Sequence, residues 1–408
     1  MIRKLPIAQL EPGMVVARMR SDVWEHNPYL YTEPGPVPDQ AAVDHIRAQG
    51  YTEVFVEVEV PAGEDPEEVV VARQLDRREL AMPAPPKVPL AKEMRAAQKI
   101  YARSLEQARK VVDAVAEGRA LDVEGSRVVV DDIINSAVRN AQTMTCLAKL
   151  DTYDDYTYSH CVNVAALSVV VGQFLGLERP SLMLLGLAGL FHDLGKTRID
   201  KRILNKPGRL NADEFEEMKK HPGYSRDILA GYGDMPPEVV RAAAEHHEKY
   251  NGLGYPDHLP HEGLSPLSRI LSMADVFDAL TSRRPYKDAM LPGKALSLMY
   301  GMRDQDFATR DVELFVKCLG VYPTGSLVRL TDGRLAVVVE NRPQALLKPL
   351  LRVLPPNSAL IAPPKLLDLL QDPVGLDGEP VRVEAVVDAR QARRDLGALL
   401  GVALPRRL

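Results

Sequence analysis

LMLLGLAGLFHDLGKTRIDKRILNKPGRL, residues 182–210, contains the pair on which the reading of this chain turns. Its first part, Leu182–Phe191, is continuous apolar sequence that runs straight into His192-Asp193. The run is shorter than the roughly 18 uninterrupted residues of a membrane span. It reads instead as a core helix that delivers an imidazole and a carboxylate to its end. A second long apolar stretch, Val164–Leu177, is interrupted by Gln173, and His160 precedes it in YSHCVNVAALSVVVG.

Outward from these segments the chain reads as helical. From about Lys92 to about Leu319, helix-favouring sequence is broken by Gly, Pro and Asn clusters at Asn205–Gly208, Gly231–Pro237 and Asn251–Pro266. Strand-like alternation is almost absent there. Residues 80–91, LAMPAPPKVPLA, carry four prolines without periodicity, as a linker does. Before it, VFVEVEV alternates apolar residues with glutamate in the pattern of a half-exposed strand, and Gln40–Gln49 reads as a short helix. After it, Leu327–Leu330 and Leu335–Glu340 flank Asp332-Gly333, the signature of a hairpin. The expected architecture is mainly α. A helical domain over 92–319 follows a small α+β domain over 1–80 and a linker over 81–91, and a β-containing extension occupies 320–408.

Bulk composition narrows the partners. With 408 residues the chain exceeds one ordinary core, and its 46% apolar and 26% charged content is that of a soluble globular protein. A formal charge of −5 speaks against a general duplex-nucleic-acid binder but leaves room for a small anionic substrate. Cys146, Cys161 and Cys318 show no paired spacing, and MIRKLPIAQLEPGM has no continuous apolar core of a secretory signal. A reduced, cytoplasmic location and no membrane span are expected.

The chemistry lies in the histidines. His160, His192 with Asp193, His221 and the pair His246-His247 sit in the helical region, and Asp275 follows. Neutral imidazole and carboxylate suit Fe, Mn, Ni and Zn, and bundle cores are where helices bring such ligands together. Each residue alone has an ordinary explanation. His160 reads as a satisfied core histidine, His246-His247 as a solvated pair, and Asp275 as a helix-face carboxylate, with Asp278 three residues on. Lys196 reads as a solvated charge. Their co-occurrence in ordered local contexts outweighs those readings.

Those contexts resemble the HD-GYP branch of the HD phosphohydrolase superfamily. FHDLGKTRIDKRILNKPGRL (191–210) is similar to its HDxGK…ILxKPGxL region, and His221 sits in EEMKKHPGYSRDIL where the branch has its next histidine. HHEKYNGLGYP (246–256) matches HHExxxGxGYP, and SRILSMADVFDALTSRRPYK (268–287) matches RIxxxxDxxDAxxSxRPY. The resemblance covers about Tyr153 to Lys317. Residues 7–31 also resemble a small domain of unknown role often found ahead of such modules, and 320–342 an extension that often follows them.

The resemblance implies a cyclic di-GMP phosphodiesterase with an HD-type helical fold, yielding linear pGpG and in some members GMP. It implies that His160, His192, Asp193 and Asp275 hold one divalent ion. Asp193, His221, His246 and His247 would hold a second, with Asp193 bridging. Fe or Mn is the first expectation, with Ni or Zn compatible. Asp193 and Lys196 take catalytic roles, and Lys196, Tyr255, Arg284 and Lys287 contact the substrate. Members that bind a third ion carry glutamate one turn before the first histidine. Here that position is Tyr156, with Asp154 and Asp155 out of register, so two ions are expected. Two other readings stay open: a binding module that docks the nucleotide or a signalling partner without useful turnover, and a hydrolase of another nucleotide. A signalling-protein partner or a homodimer is compatible with either.

Overall fold

The computed structural model describes residues 2–21, 35–37, 39–48, 51–57, 86–149, 156–206, 208, 210–282, 289–355, 365–375 and 378–388. Near the N-terminus β1 (Ile2–Pro6), β2 (Val15–Ser21), β3 (Gly35–Pro36), α1 (Gln40–Ala48) and β4 (Tyr51–Glu57) form a small α+β unit. Its strands are antiparallel in the order β1-β4-β2-β3. Val54 and Val56 alternate inward on β4 and share a small core with Leu10, Val16, Val37 and Val43.

The helical region follows as α2 (Leu90–Ala116), α3 (Val123–Lys149), α4 (Tyr156–Phe174) and α5 (Arg179–Phe191). Then come α6 (Lys201–Leu204), α7 (Ala212–Met218), α8 (His221–Ala230) and α9 (Pro237–Glu245). The region ends with α10 (Pro266–Thr281), α11 (Pro292–Gly301) and α12 (Thr309–Leu319). Pro89 sits at the N-cap of α2, so the helix begins at Leu90, two residues before the expected Lys92. The sequence of α4 and α5 is apolar on all sides because both helices are central, with Val162–Val171 and Leu185–Phe191 buried throughout. They cross closely: a Cβ on Gly189 of α5 would stand 2.4 Å from Cα of Ala165 on α4. That approach brings the end of α5 alongside His160.

α3 breaks at Asn140, whose φ/ψ of −161°/98° leaves the helix. The freed carbonyl of Arg139 accepts the N–H groups of Lys87 (2.9 Å) and Val88 (3.2 Å), and the Asn140 side chain accepts from Gln142 N to restart the helix. Glu93 on α2 then takes the Arg139 guanidinium through both carboxylate oxygens at 2.8 and 2.7 Å. Lys87 and Val88 are thereby seated in the break.

Beyond α12, β5 (Leu327–Leu330), β6 (Leu335–Glu340), β7 (Leu350–Val353), β8 (Lys365–Asp368) and β9 (Val383–Val387) form one antiparallel sheet, ordered β8-β7-β6-β5-β9. The expected hairpin is β5–β6, with Gly333 at φ +81° in its turn. The other strands are short apolar runs that periodicity alone does not assign. Gln142 fastens this sheet to α3 through Asn341 and Thr324. Among the described residues no helix is long and apolar enough to cross a membrane.

Candidate metal centre

Five segments converge on one point. α4 supplies His160, the end of α5 leads into His192 and Asp193, α8 opens on His221, the residues after α9 are His246-His247, and α10 supplies Asp275. All are buried except His247, which is half-buried. The crossing of the His192-Asp193 turn with α8 depends on Gly195. A Cβ there would meet the His221 carbonyl oxygen at 1.9 Å and Ser225 N at 2.6 Å. Ser225 stitches the same crossing, its Oγ donating to His192 O (2.6 Å) and accepting from Gly195 N (2.8 Å).

The side chains fall into two groups with Asp193 between them. In the first, Nε2 of His160 lies 3.0 Å from Asp275 Oδ1, 3.6 Å from Asp193 Oδ2 and 3.3 Å from Nε2 of His192. In the second, Nε2 of His221 lies 3.3 Å from Asp193 Oδ1 and 3.3 Å from Nε2 of His246. Ligating atoms of His221, His246 and His247 lie within 4.8 Å of one another, and so do those of His160, His192 and Asp275.

The nitrogens face one another for a reason. Nδ1 of His192, His221 and His246 lies 2.7–2.9 Å from the carbonyl oxygen three residues back, at Gly189, Met218 and Ala243. A carbonyl only accepts, so each Nδ1 carries the proton and each Nε2 presents a lone pair. Nδ1 of His160 is held likewise, 2.7 Å from Asp278 Oδ2. The opposed Nε2 lone pairs of His221 and His246, 3.3 Å apart, repel unless a proton or a metal cation lies between them. Asp193 Oδ1 is also buried without a hydrogen-bond partner, an acceptor that a bound cation would satisfy. The donor set fits divalent metal ions.

Charge states differ between the two groups. Burial holds His246 down to about 3, reinforced by His192 and His221, and it lowers His221 and His247 as well, keeping neutral imidazoles. Burial works against the charged forms of Asp193 and Asp275. Yet His192 and Lys196 around the former, and His160 and His247 around the latter, keep both carboxyls well below the ordinary range. At His160 burial lowers the pKa, but the hydrogen bonds to Asp275 and Asp278 outweigh it and carry it up to about 9. The first group attracts positive charge strongly.

The other expected residues divide. A 3₁₀ turn over Leu194–Arg198 keeps Lys196 on the face of Asp193, its Nζ donating to Oδ2 at 2.6 Å. Tyr255 packs its ring 4.8 Å from that of His247 and 6.2 Å from that of Phe215, and its N–H donates to His247 O. Glu248 shapes the loop behind it by accepting from Asp257 N (2.7 Å) and Leu259 N (3.1 Å). Arg284 and Lys287 lie outside the described residues, as do Asp154 and Asp155. Sequence reasoning passed over Asp278, Ser225 and Glu248. Asp278 carries a signal, its i+3 spacing from Asp275, but that spacing alone is equally that of an ordinary helix face.

Comparison with known proteins identifies the family. A family model described as HD domain matches residues 128–309, and one described as a domain of unknown function, DUF3391, matches 2–125. A cyclic di-GMP phosphodiesterase of Pseudomonas aeruginosa is 35% identical over 356 residues, 86% of this chain and 85% of that protein. The chain belongs to the HD-GYP family. It is an HD-type hydrolase, a phosphodiesterase by family. Two further matches are shorter. The cyclic di-GMP phosphodiesterase response regulator RpfG of Xanthomonas campestris pv. campestris is 36% identical over 44% of this chain and 48% of its own length. The 3'3'-cGAMP-specific phosphodiesterase 3 of Vibrio cholerae is 35% identical over 38% of this chain and 34% of its own.

Proposed function

We propose that this HD-GYP protein hydrolyses cyclic di-GMP to linear pGpG in the cytoplasm, using two divalent ions. The observation that carries the reading is the position of Asp193, whose two oxygens face separate groups of ligands: Oδ2 toward His160 and His192, Oδ1 toward His221 and His246. His160, His192, Asp193 and Asp275 would hold the first ion, and Asp193, His221, His246 and His247 would hold the second. When bound, such ions supply an acidified water and offset charge on the phosphoryl oxygens.

The rest of the chemistry belongs to the chain. Lys196, one quarter exposed beside Asp193, steadies negative charge on the phosphate as the ester bond is cut. Arg284 and Lys287 hold the flanking phosphates, and Tyr255 forms one wall of the base pocket. Fe or Mn is the working pair of candidates, with Ni or Zn compatible. Tyr156 in place of a further ligand supports two ions rather than three, and arrest at pGpG.

Purified protein loaded anaerobically with Fe or Mn should convert cyclic di-GMP to pGpG, and His192→Ala or Asp193→Ala should abolish turnover. Undiminished turnover in Asp193→Ala sinks the proposal. The relatives named for 3'3'-cGAMP motivate a second substrate reading. Faster turnover of 3'3'-cGAMP than of cyclic di-GMP in the same assay would reassign the substrate while leaving the centre in place.

A further inference from the structure

A buried polar chain runs from the first ligand to a helix outside the segment matched by the HD domain. Asp278 Oδ2 lies 2.7 Å from Nδ1 of His160. Its Oδ1 accepts from Nδ2 of Asn163 at 2.9 Å and from Ser282 Oγ at 3.0 Å. Oδ1 of Asn163 in turn accepts from the hydroxyl of Tyr101 at 2.6 Å. Tyr101, Asn163, Asp278 and His160 are each 5% exposed or less. They come from three helices: α2, α4 and α10.

The direction of every bond follows from one end. A carboxylate can only accept, so Asn163 must turn its amide nitrogen to Asp278. Its carbonyl oxygen then faces Tyr101, and the hydroxyl there must donate. The amide held in this sense, together with Ser282, fixes the Asp278 carboxylate. Asp278 in turn fixes the His160 ring with its proton on Nδ1, leaving Nε2 aimed at Asp275 and His192. Were Asn163 to flip, its oxygen would oppose the carboxylate, and the hydroxyl of Tyr101 is placed to prevent that.

We infer that Tyr101, at position 101 in the stretch matched by DUF3391 (2–125) and ahead of the HD-domain match (128–309), is a positioning residue for the metal ligand His160. It acts through Asn163 and Asp278. The inference rests on the metal-centre reading, and the test separates the two.

The probe is Co2+, titrated into the chelator-stripped full chain and followed by its visible absorption, with affinity set by competition against a chelator. Outer partners of a ligating histidine are worth about 10–100-fold in metal affinity, so Asp278→Asn should weaken one Co2+ site by that factor. Tyr101→Phe, which removes only the hydroxyl, should weaken the same site roughly 3–10-fold and alter its absorption band, the effect being diluted by two intervening links. In the double variant Tyr101→Phe should add nothing to Asp278→Asn, because residues acting through one path do not add. A merely structural tyrosine would instead give an additive loss, or a lower apo-protein melting midpoint with unchanged Co2+ affinity; either overturns the inference. Should Tyr101→Phe fail to accumulate, Asn163→Ser breaks the chain at its next link and must meet the same two tests. Absence of Co2+ binding by the wild-type chain overturns the metal-centre reading itself, whereas equal binding by wild type and Tyr101→Phe overturns only the role of Tyr101.

Discussion

Gly195→Ala tests whether the turn after Asp193 is built by backbone contact with α8. The added Cβ would stand 1.9 Å from the His221 carbonyl oxygen and 2.6 Å from Ser225 N. The first distance falls roughly 1.5 Å short of the ~3.5 Å at which heavy atoms pack without repulsion. Both obstacles are main chain, so no side chain can swing away and the two segments must part. Overpacking of this kind costs about 1–3 kcal/mol, and rigid backbone on both sides places Gly195→Ala near 3 kcal/mol. The movement also carries His221 away from Asp193, where Nε2 and Oδ1 are now 3.3 Å apart. A displacement of ~1 Å at a catalytic constellation can cost on the order of 100-fold in rate. Denaturant unfolding of the chelator-stripped protein should show the stability loss, and ion content with turnover should show the second effect. Gly233, which has no atom within 4 Å of its ideal Cβ, is the control. Gly233→Ala should be neutral or stabilising by up to about 1 kcal/mol. If Gly195→Ala matches Gly233→Ala in stability and keeps its full ion content, the account of this crossing is wrong.

The remaining predictions concern the supports of the centre. Glu93→Gln weakens the clamp between α2 and the break in α3 and should cost about 2 kcal/mol in denaturant unfolding at pH 7. Burial raises the Glu93 pKa, but hydrogen bonds from Arg139 and Ser136 outweigh it and hold it below its ordinary value. A lowered carboxyl stabilises above its unfolded pKa, so the gap between wild type and Glu93→Gln should be full above about pH 4.5 and shrink as pH falls through the folded pKa. Gln142→Ala removes three hydrogen bonds to the C-terminal sheet and should lower stability by about 2 kcal/mol. Limited proteolysis should then release that sheet sooner than in wild type. Tyr255→Phe should keep the ring contact with His247 and retain turnover within about threefold. Tyr255→Ala should raise the apparent KM for cyclic di-GMP about tenfold if the ring forms a pocket wall worth ~1.4 kcal/mol.

Much of the helical region was legible because its breaks are local chemistry: the Asn-Pro-Gly cluster ending α6, the Gly-Pro stretch between α8 and α9, and the long loop ahead of Pro266. The ligands were legible for another reason. Histidine at a helix end, followed by aspartate or a second histidine, recurs in contexts specific enough to name a family. The supports were not visible in the same way. Tyr101 and Asn163 lie 62 residues apart and meet only because α2 packs on α4, a long-range fact that no local pattern carries. Ser225 looks like any helical serine until the carbonyl of His192 is placed beside it. In the C-terminal sheet the Asp332-Gly333 hairpin was legible from its turn, whereas β7 and β8, although bounded by prolines, are runs of four residues too short to show a strand period.

In the proposed mechanism one cluster would bind two ions through Asp193 and use them to open a cyclic dinucleotide. Metal quantification on anaerobically purified protein, coupled to a product assay that separates pGpG from GMP, tests it most directly. Wild type should hold two ions per chain and give pGpG as product. His221→Ala should hold no more than one ion and show no turnover, and chelation should abolish activity, with recovery on reloading. Turnover that survives complete removal of metal, or a wild-type chain that binds no ion while still cleaving cyclic di-GMP, would contradict it.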